Sequence, residues 1–235
     1  RLWVPRGDRA SLYLRPFMIA DQEFLGVHAA QQYLYVLISS PAGSYFKGAS
    51  TRISIWVAGD YSRAFPGGTG SAKTGGNYAG SLLPQQLATE RGYDQVLYLD
   101  AKTSTHLEEL GAMNVFVVRA DGSVQTPALT GTILEGGTRG ALIQLLADRG
   151  VEVQQVDIAL APLIEDIVSG QVTEMFACGT AAVIAPIGRL GGIVDGRVFV
   201  VTLGRSEVAM SLLKEMTAIQ RGVIPDLHHW MYRLV

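Results

Sequence analysis

Residues 62–77 form a glycine-rich stretch with almost no aliphatic side chains and a single lysine, Lys73. No charged residue lies nearer to it than Arg63. Small neighbours let backbone approach a bound molecule closely. An amine in such a loop can form and exchange an imine with a carbonyl compound, provided that burial or a nearby cation keeps it partly deprotonated near neutral pH. The same stretch, Gly67-Gly-Thr-Gly-Ser-Ala-Lys-Thr, is one residue away from the phosphate-loop pattern GxxxxGK[ST], with Ala72 in place of the second glycine. Two features oppose that reading. A segment holding Tyr61, Arg63 and Phe65 separates the preceding strand from Gly67, and Gly75-Gly76 follow the lysine where the helix should already have begun. The blander alternative is a solvated lysine in a flexible loop.

Other residues with chemical capacity are few. Gly136-Gly137-Thr138 leads into helical spacing and has the form of an anion-binding helix N-terminus. His106, His228 and His229 are too scattered for a metal triad, and no metal is expected. The one cysteine, Cys178, cannot form an internal disulfide or a cysteine-rich zinc site, which fits a reducing compartment, with cytoplasm as the default.

These groups must be held by a sizeable scaffold. The chain has 235 residues, 48% hydrophobic and 17% charged, enough to bury a substantial core. A net charge of -2 provides no broad positive surface for nucleic acid. The longest apolar runs fall far short of the roughly 20 residues needed to span a bilayer, so no membrane partner is expected. Strands are predicted at 12–14, 32–38, 52–57, 95–99, 114–119, 123–126, 174–177 and 182–187. Helices are predicted from Asn77, as N-cap, to about Arg91 with a kink at Pro84, and at 138–148, 162–169 and 206–220. Strands and helices mix without regular βαβ alternation, so the class is α+β. Residues 1–40 read as the end of a first, small domain, 41–51 as an interdomain loop, and 52–235 as a larger domain. The opening Arg1-Leu-Trp-Val-Pro reads like the inside of a domain, with something upstream missing.

At Lys73-Thr-Gly-Gly-Asn-Tyr-Ala-Gly the chain begins to resemble the fold-type IV pyridoxal-phosphate enzymes, and within them the branched-chain aminotransferases. The resemblance continues through Gly92-Tyr-Asp-Gln-Val-Leu-Tyr-Leu-Asp, Glu109-Leu-Gly-Ala-Met-Asn-Val-Phe, Leu134-Glu-Gly-Gly-Thr-Arg and Cys178-Gly-Thr-Ala. Ser11-Leu-Tyr-Leu-Arg-Pro, Pro41-Ala-Gly-Ser-Tyr-Phe and His229-Trp-Met-Tyr-Arg are similar too, so it covers the chain in order. It implies a D-amino-acid-aminotransferase-like architecture, pyridoxal 5'-phosphate as cofactor, a homodimer, and transfer of the amino group of leucine, isoleucine or valine to 2-oxoglutarate.

By the same resemblance Lys73 carries the cofactor, and Glu109 holds the ring nitrogen protonated. Adjacent strand residues face opposite ways, so only one of Glu108 and Glu109 can reach the ring. Tyr78 meets the phenolic oxygen. Gly137, Thr138 and Thr180 take the phosphate, although Gly137 stands where the family often has Val or Ile. Arg63 matches an arginine near the cofactor, while a further phosphate-binding arginine of the family falls upstream of Arg1. Tyr13 and Arg15 line the substrate pocket, the backbone of Thr180 and Ala181 receives the α-carboxylate, and Tyr13, Tyr45 and Met113 are wall candidates. Some relatives carry a CxxC after the Gly-Thr-Ala segment. Ala182 and Ala185 stand nearby instead, so no thiol switch is expected. The alternatives are a D-amino-acid aminotransferase or aminodeoxychorismate lyase of the same fold, a phosphate-loop nucleotide module, and a cofactor-free binding subunit.

Overall fold

A computed structural model describes residues 4–6, 10–43, 52–194 and 196–232. The chain divides into two compact units, 1–48 and 49–235. In the first, β1 (Ser11–Ala20) and β2 (Tyr33–Ala42) pair antiparallel along their whole length, from Ser11↔Ala42 to Ala20↔Tyr33. Both strands are longer than their apolar runs predict. Ser40, Pro41 and Ala42, assigned to a loop by their composition, are paired, because a proline without an N–H is tolerated on an edge strand.

The second unit is built on one mixed sheet. Its strands are β3 (Ile53–Ala58), β4 (Gln95–Leu99), β5 (Leu107–Leu110), β6 (Asn114–Arg119), β7 (Val124–Pro127), β8 (Val153–Val156), β9 (Val172–Gly179), β10 (Val183–Val194) and β11 (Arg197–Thr202). The spatial order is β5-β4-β3-β10-β9-β6-β7-β8, with β11 on β10. β3 runs parallel to β4 and β10, and β7 parallel to β8, while the other pairs are antiparallel. The helices are α1 (Gly75–Glu90), α2 (Gly137–Asp148), α3 (Leu160–Ser169) and α4 (Glu207–Gln220). Helices α1 and α2 make the crossovers for the two parallel pairs they connect.

The sheet must curl. β5 and β6 are five strand steps apart in the order, about 24 Å in a flat sheet at ~4.8 Å per step. Yet Leu110 and Asn114 are joined by a tight turn closed by Leu110 N–H to the Met113 carbonyl at 2.8 Å, and four residues reach no further than about 14 Å. The curl therefore brings Glu109 on β5 beside Asn114 on β6.

Packing explains why the central strands have few polar residues. Phe116, Val118, Phe176 and Cys178 pack on Leu142, Leu145 and Leu146 of α2 and on Ala209, Leu212 and Met216 of α4. The alternate residues Val115, Val117, Met175 and Ala177 are fully buried as well, so the strands read as continuous apolar runs. Short strands such as β5 and β8 escape a reading based on such runs because they carry Glu108-Glu109 and Gln154-Gln155.

Helix α4 is docked by a buried carboxylate. Glu174 on β9, 3% exposed, accepts hydrogen bonds from the backbone N–H of Val208 at 3.1 Å and of Ala209 at 3.2 Å. Ser206, at the N-cap, makes no side-chain cap bond, so Glu174 caps the helix from another strand. Replacing Glu174 with alanine leaves those amides without the carboxylate and is expected to cost about 1–3 kcal/mol. A lowered urea midpoint with unchanged slope checks it.

Candidate active site

The loop between β3 and α1 holds Lys73, and its shape comes from internal ties. Gly68 N–H donates to the Phe65 carbonyl and Ala72 N–H to the Thr69 carbonyl, each closing a turn. Asn77, predicted as a helix cap, does something else. Helix α1 begins at Gly75 after Thr74, because glycine tolerates the first turn even at an entropic cost. The Asn77 side chain then reaches back, its Nδ2 donating to the carbonyls of Thr69 (2.7 Å) and Ala72 (2.8 Å) and its Oδ1 accepting from Thr69 Oγ1 (2.7 Å). It thus fastens the residues on the N-terminal side of Lys73 to the helix that follows.

Gly70 is where this loop meets the body of the unit. A Cβ there would lie 2.4 Å from the Thr132 carbonyl oxygen and 2.6 Å from Ala64 Cβ. Both obstacles are main chain or short side chain and cannot swing away. Gly70→Ala is therefore expected to lift the loop, at a cost of about 1–3 kcal/mol. Faster limited proteolysis within 62–77, together with a lowered urea midpoint, checks it.

One small pocket is lined by Arg63, Lys73, Asn77, Tyr78, Glu109 and Leu134, among others. Four residues singled out from sequence thus come together there. Glu109, and not Glu108, lines the pocket. Lys73 is exposed, and Tyr78, on the first turns of α1, is 40% exposed. The burial considered for the lysine amine is not provided by its loop, while Arg63 is the cation sharing its pocket.

Glu109 is 4% exposed and held on both oxygens. Oε1 lies 2.6 Å from Arg63 Nη2 and accepts from Leu134 N–H at 3.1 Å, while Oε2 accepts from Asn114 Nδ2 at 3.1 Å. Burial pushes its carboxyl up to about 7, against Arg63 and the Leu134 N–H, which favour the charged form. Burial and the Arg63 charge thus act in opposite directions on the same carboxyl.

Asn114, given no role by the sequence, organises the site. Its Nδ2 also donates to the Leu134 carbonyl at 2.9 Å, tying β6 to the segment before α2. A Cβ on Gly136 would sit 2.2 Å from Asn114 Oδ1, so a side chain at that position would displace the amide. Gly137 and Thr138 follow as the first helical residues of α2, whose opening turn carries no acidic side chain. Their N–H groups precede the first intrahelical bond, Gly140 N–H to the Gly136 carbonyl at 2.9 Å, and are free for an anion. Asn114 and Gly136 are separated by 22 positions, so their contact lies beyond any local signal in the sequence.

Thr180 and Ala181 lie in the turn joining β9 to β10, where Gly179 pairs with Val183. Asn114 pairs with Cys178, so this turn is at the same sheet end as the turn at 111–113. A Cβ on Gly179 would lie 3.2 Å from Met113 Cγ, which places Met113 beneath that turn as a buried side chain. Val183 closes the turn at φ 57, a left-handed conformation that costs a β-branched residue about 1–3 kcal/mol. Cys178 is buried in β9, and burial pushes its thiol up to about 12. In the first unit, Arg15 Nη2 donates to Tyr13 Oη at 2.5 Å, with the guanidinium 5.0 Å from the Tyr13 ring centroid. Tyr45 falls outside the described residues. Among the described residues there is no group of three or more potential metal ligands, and no helix is long and apolar enough to cross a membrane.

The profile of the family described as amino-transferase class IV matches residues 3–190. The chain belongs to the class IV aminotransferases. Within that family it is 48% identical over 244 residues to the branched-chain-amino-acid aminotransferase of Mycobacterium tuberculosis (strain H37Rv), covering 100% of this chain and 64% of the relative. It is 43% identical to branched-chain-amino-acid aminotransferase 2 of Bacillus subtilis, covering 97% and 62%. The chain thus spans a little under two thirds of the length of these relatives. Among class IV folds, the branched-chain amino acid aminotransferase from Escherichia coli superposes with a TM-score of 0.74 at 28% identity, over 94% of this chain and 68% of that one. A branched-chain amino acid aminotransferase complexed with N-(5'-phosphopyridoxyl)-L-glutamate gives 0.75 at 26% identity, with the same coverage. The fold is accordingly the α+β, fold-type IV arrangement expected.

Proposed function

We propose that this protein is a pyridoxal-phosphate-dependent transaminase that moves the amino group of leucine, isoleucine or valine to 2-oxoglutarate, yielding branched-chain 2-oxo acids and glutamate. The observation that carries the reading is one pocket lined by an amine, a phenol and a carboxyl: Lys73, Tyr78 and Glu109. The names of the M. tuberculosis and B. subtilis relatives, and the phosphopyridoxyl-glutamate bound in the structural neighbour, support it.

The residues fit the cofactor. Glu109 is a buried carboxyl that can accept from a protonated ring nitrogen, and Arg63 Nε is a buried N–H donor with no hydrogen-bond partner among the described residues, suited to an anionic oxygen of the cofactor. Bound there, pyridoxal 5'-phosphate supplies the electron sink that makes a substrate α-hydrogen acidic. Lys73 Nζ anchors it and then carries the proton to and from the substrate α-carbon. Tyr78 Oη donates to its phenolic oxygen, and a Glu109 oxygen accepts from the ring N–H. Gly137 and Thr138, with the Thr180 hydroxyl, receive the phosphate at the α2 N-terminus, where the dipole favours an anion. The N–H groups of Thr180 and Ala181 take the substrate α-carboxylate. Tyr13 and Arg15 serve the side chain, the guanidinium accommodating that of glutamate. A cytoplasmic homodimer completes the reading.

A phosphate-loop nucleotide site is less well supported, because the N–H groups of Gly68 and Ala72, needed for a phosphate cradle, close turns within the loop. The decisive test is spectral. Purified intact protein with added cofactor should show a near-ultraviolet to violet band, and borohydride should fix the label on Lys73 in peptide mapping. No band, with Lys73→Ala behaving as wild type, sinks the proposal. Turnover of leucine but not D-alanine separates it from a D-amino-acid aminotransferase.

A further inference from the structure

Glu108 does not line the pocket, yet it is 5% exposed, on a strand where leucines flank the glutamate pair. A carboxyl in such a place carries a desolvation cost that an apolar side chain would avoid. Its Oε1 accepts from Thr132 Oγ1 at 2.5 Å, and its Oε2 is buried with no hydrogen-bond partner among the described residues. Burial raises its carboxyl above the usual range, with Thr132 and Arg63 acting against that rise.

Thr132 is the node. It is 1% exposed, and its carbonyl accepts from Arg63 Nη2 at 2.5 Å. The same Nη2 donates to the Gly70 carbonyl at 2.8 Å and lies 2.6 Å from Glu109 Oε1. Gly70 rests against the Thr132 backbone so closely that no Cβ fits between them. One residue therefore connects Glu108 through its side chain to Arg63 and the lysine loop through its main chain.

We propose that Glu108 is a positioning residue: by fixing Thr132 it sets where the Arg63 guanidinium sits against Glu109, and so sets how firmly Glu109 holds the cofactor's ring nitrogen. The inference rests on the function proposed above. Its physical basis is the balance at Glu109, where burial opposes Arg63, so a small displacement of that guanidinium moves the balance. The other charged or titratable groups bearing on Glu109 are Lys73 from the loop, Glu108 on its own strand, Arg139 from α2 and Cys178 from β9. Of these, Glu108 also interacts with Arg63 through their charges, which both uncharged replacements below remove alike.

The test compares two uncharged replacements in the intact protein. Glu108→Gln keeps an oxygen for Thr132, whereas Glu108→Leu keeps only the volume, so their difference isolates positioning from charge. Two readouts are followed: the Glu109 carboxyl ¹³C titration in cofactor-free protein, and the dissociation constant of pyridoxal 5'-phosphate from its absorbance. Relative to Glu108→Gln, Glu108→Leu should raise the Glu109 midpoint by about one pH unit and weaken cofactor binding about tenfold. Thr132→Val should reproduce Glu108→Leu, and the double variant should add nothing further, as a single shared path requires. Equal titrations and affinities for the two Glu108 variants overturn the proposal, as do additive effects of Glu108→Leu and Thr132→Val. If Glu108→Leu does not fold, Thr132→Val, nearly isosteric, decides by the same shift. Should wild type bind no cofactor, the transaminase reading fails, while the Glu109 titration still decides the role of Glu108.

Discussion

Replacing Lys73 with alanine lowers the rate of amino transfer by about 10⁴-fold, because one amine both anchors the cofactor and carries the α-proton. Its effect on stability is small. Lys73 is exposed, and its side chain makes no hydrogen bond or ion pair among the described residues, so the unfolding midpoint stays within about 0.5 kcal/mol of wild type. Added propylamine, matching the Cγ-to-Nζ stem that alanine lacks, should restore part of the rate, since the loop that holds position 73 is fastened by Asn77 and Thr69 rather than by the lysine. Steady-state rates with leucine, alongside thermal unfolding of the same preparations, check both halves. A variant that loses stability in proportion to activity would mean that Lys73 acts through the fold.

Glu109→Gln comes second in size, lowering kcat by about 10²–10³-fold. Glutamine keeps the shape and one acceptor oxygen but cannot supply the negative charge that holds a ring nitrogen protonated. The variant also has a pH signature in cofactor-free protein. In the fold the Glu109 carboxyl is raised from 4.5 to about 7, so between those values the native state binds more protons than the unfolded state. Stability must then fall as pH rises through that window. The contribution is present in full below pH 4.5 and lost above about 7, with a total of ~3 kcal/mol at 1.36 kcal/mol per unit. Urea unfolding from pH 4.5 to 8 should show this decline in wild type and a flatter profile in Glu109→Gln. Identical profiles would show that Glu109 does not titrate in that window.

Much of the scaffold could be read from local pattern. Helices near 138–148 and 206–220, and strands near 95–99 and 114–119, follow from periodicity and buried apolar runs, because a repeat of 3.6 or a run of β-branched residues is written in neighbouring positions. Turn chemistry located the hairpin at Asp121-Gly122, where Gly122 takes φ 87. Limits appear where stabilisation comes from elsewhere. β8 carries Gln154-Gln155 and is held by parallel pairing with β7, a strand brought to it only by the α2 crossover. Helix α1 starts at Gly75 rather than at Asn77 because the asparagine side chain is taken up by the loop, a choice between two roles that composition cannot rank.

For Lys73 the sequence by itself determined a residue type in a permissive loop, and the ordered resemblance around it pointed to Tyr78, Glu109 and the Gly-Thr segments. Only the tertiary structure decided that Lys73, Tyr78, Glu109 and Arg63 border one pocket. Strand β5 joins β6 through a tight turn while standing five places from it in the hydrogen-bonded order, and that closure curls the sheet until Asn114, Leu134 and Arg63 reach Glu109. The charge state of Glu109 likewise follows from burial and from partners distant in sequence, quantities that no single segment of the chain contains.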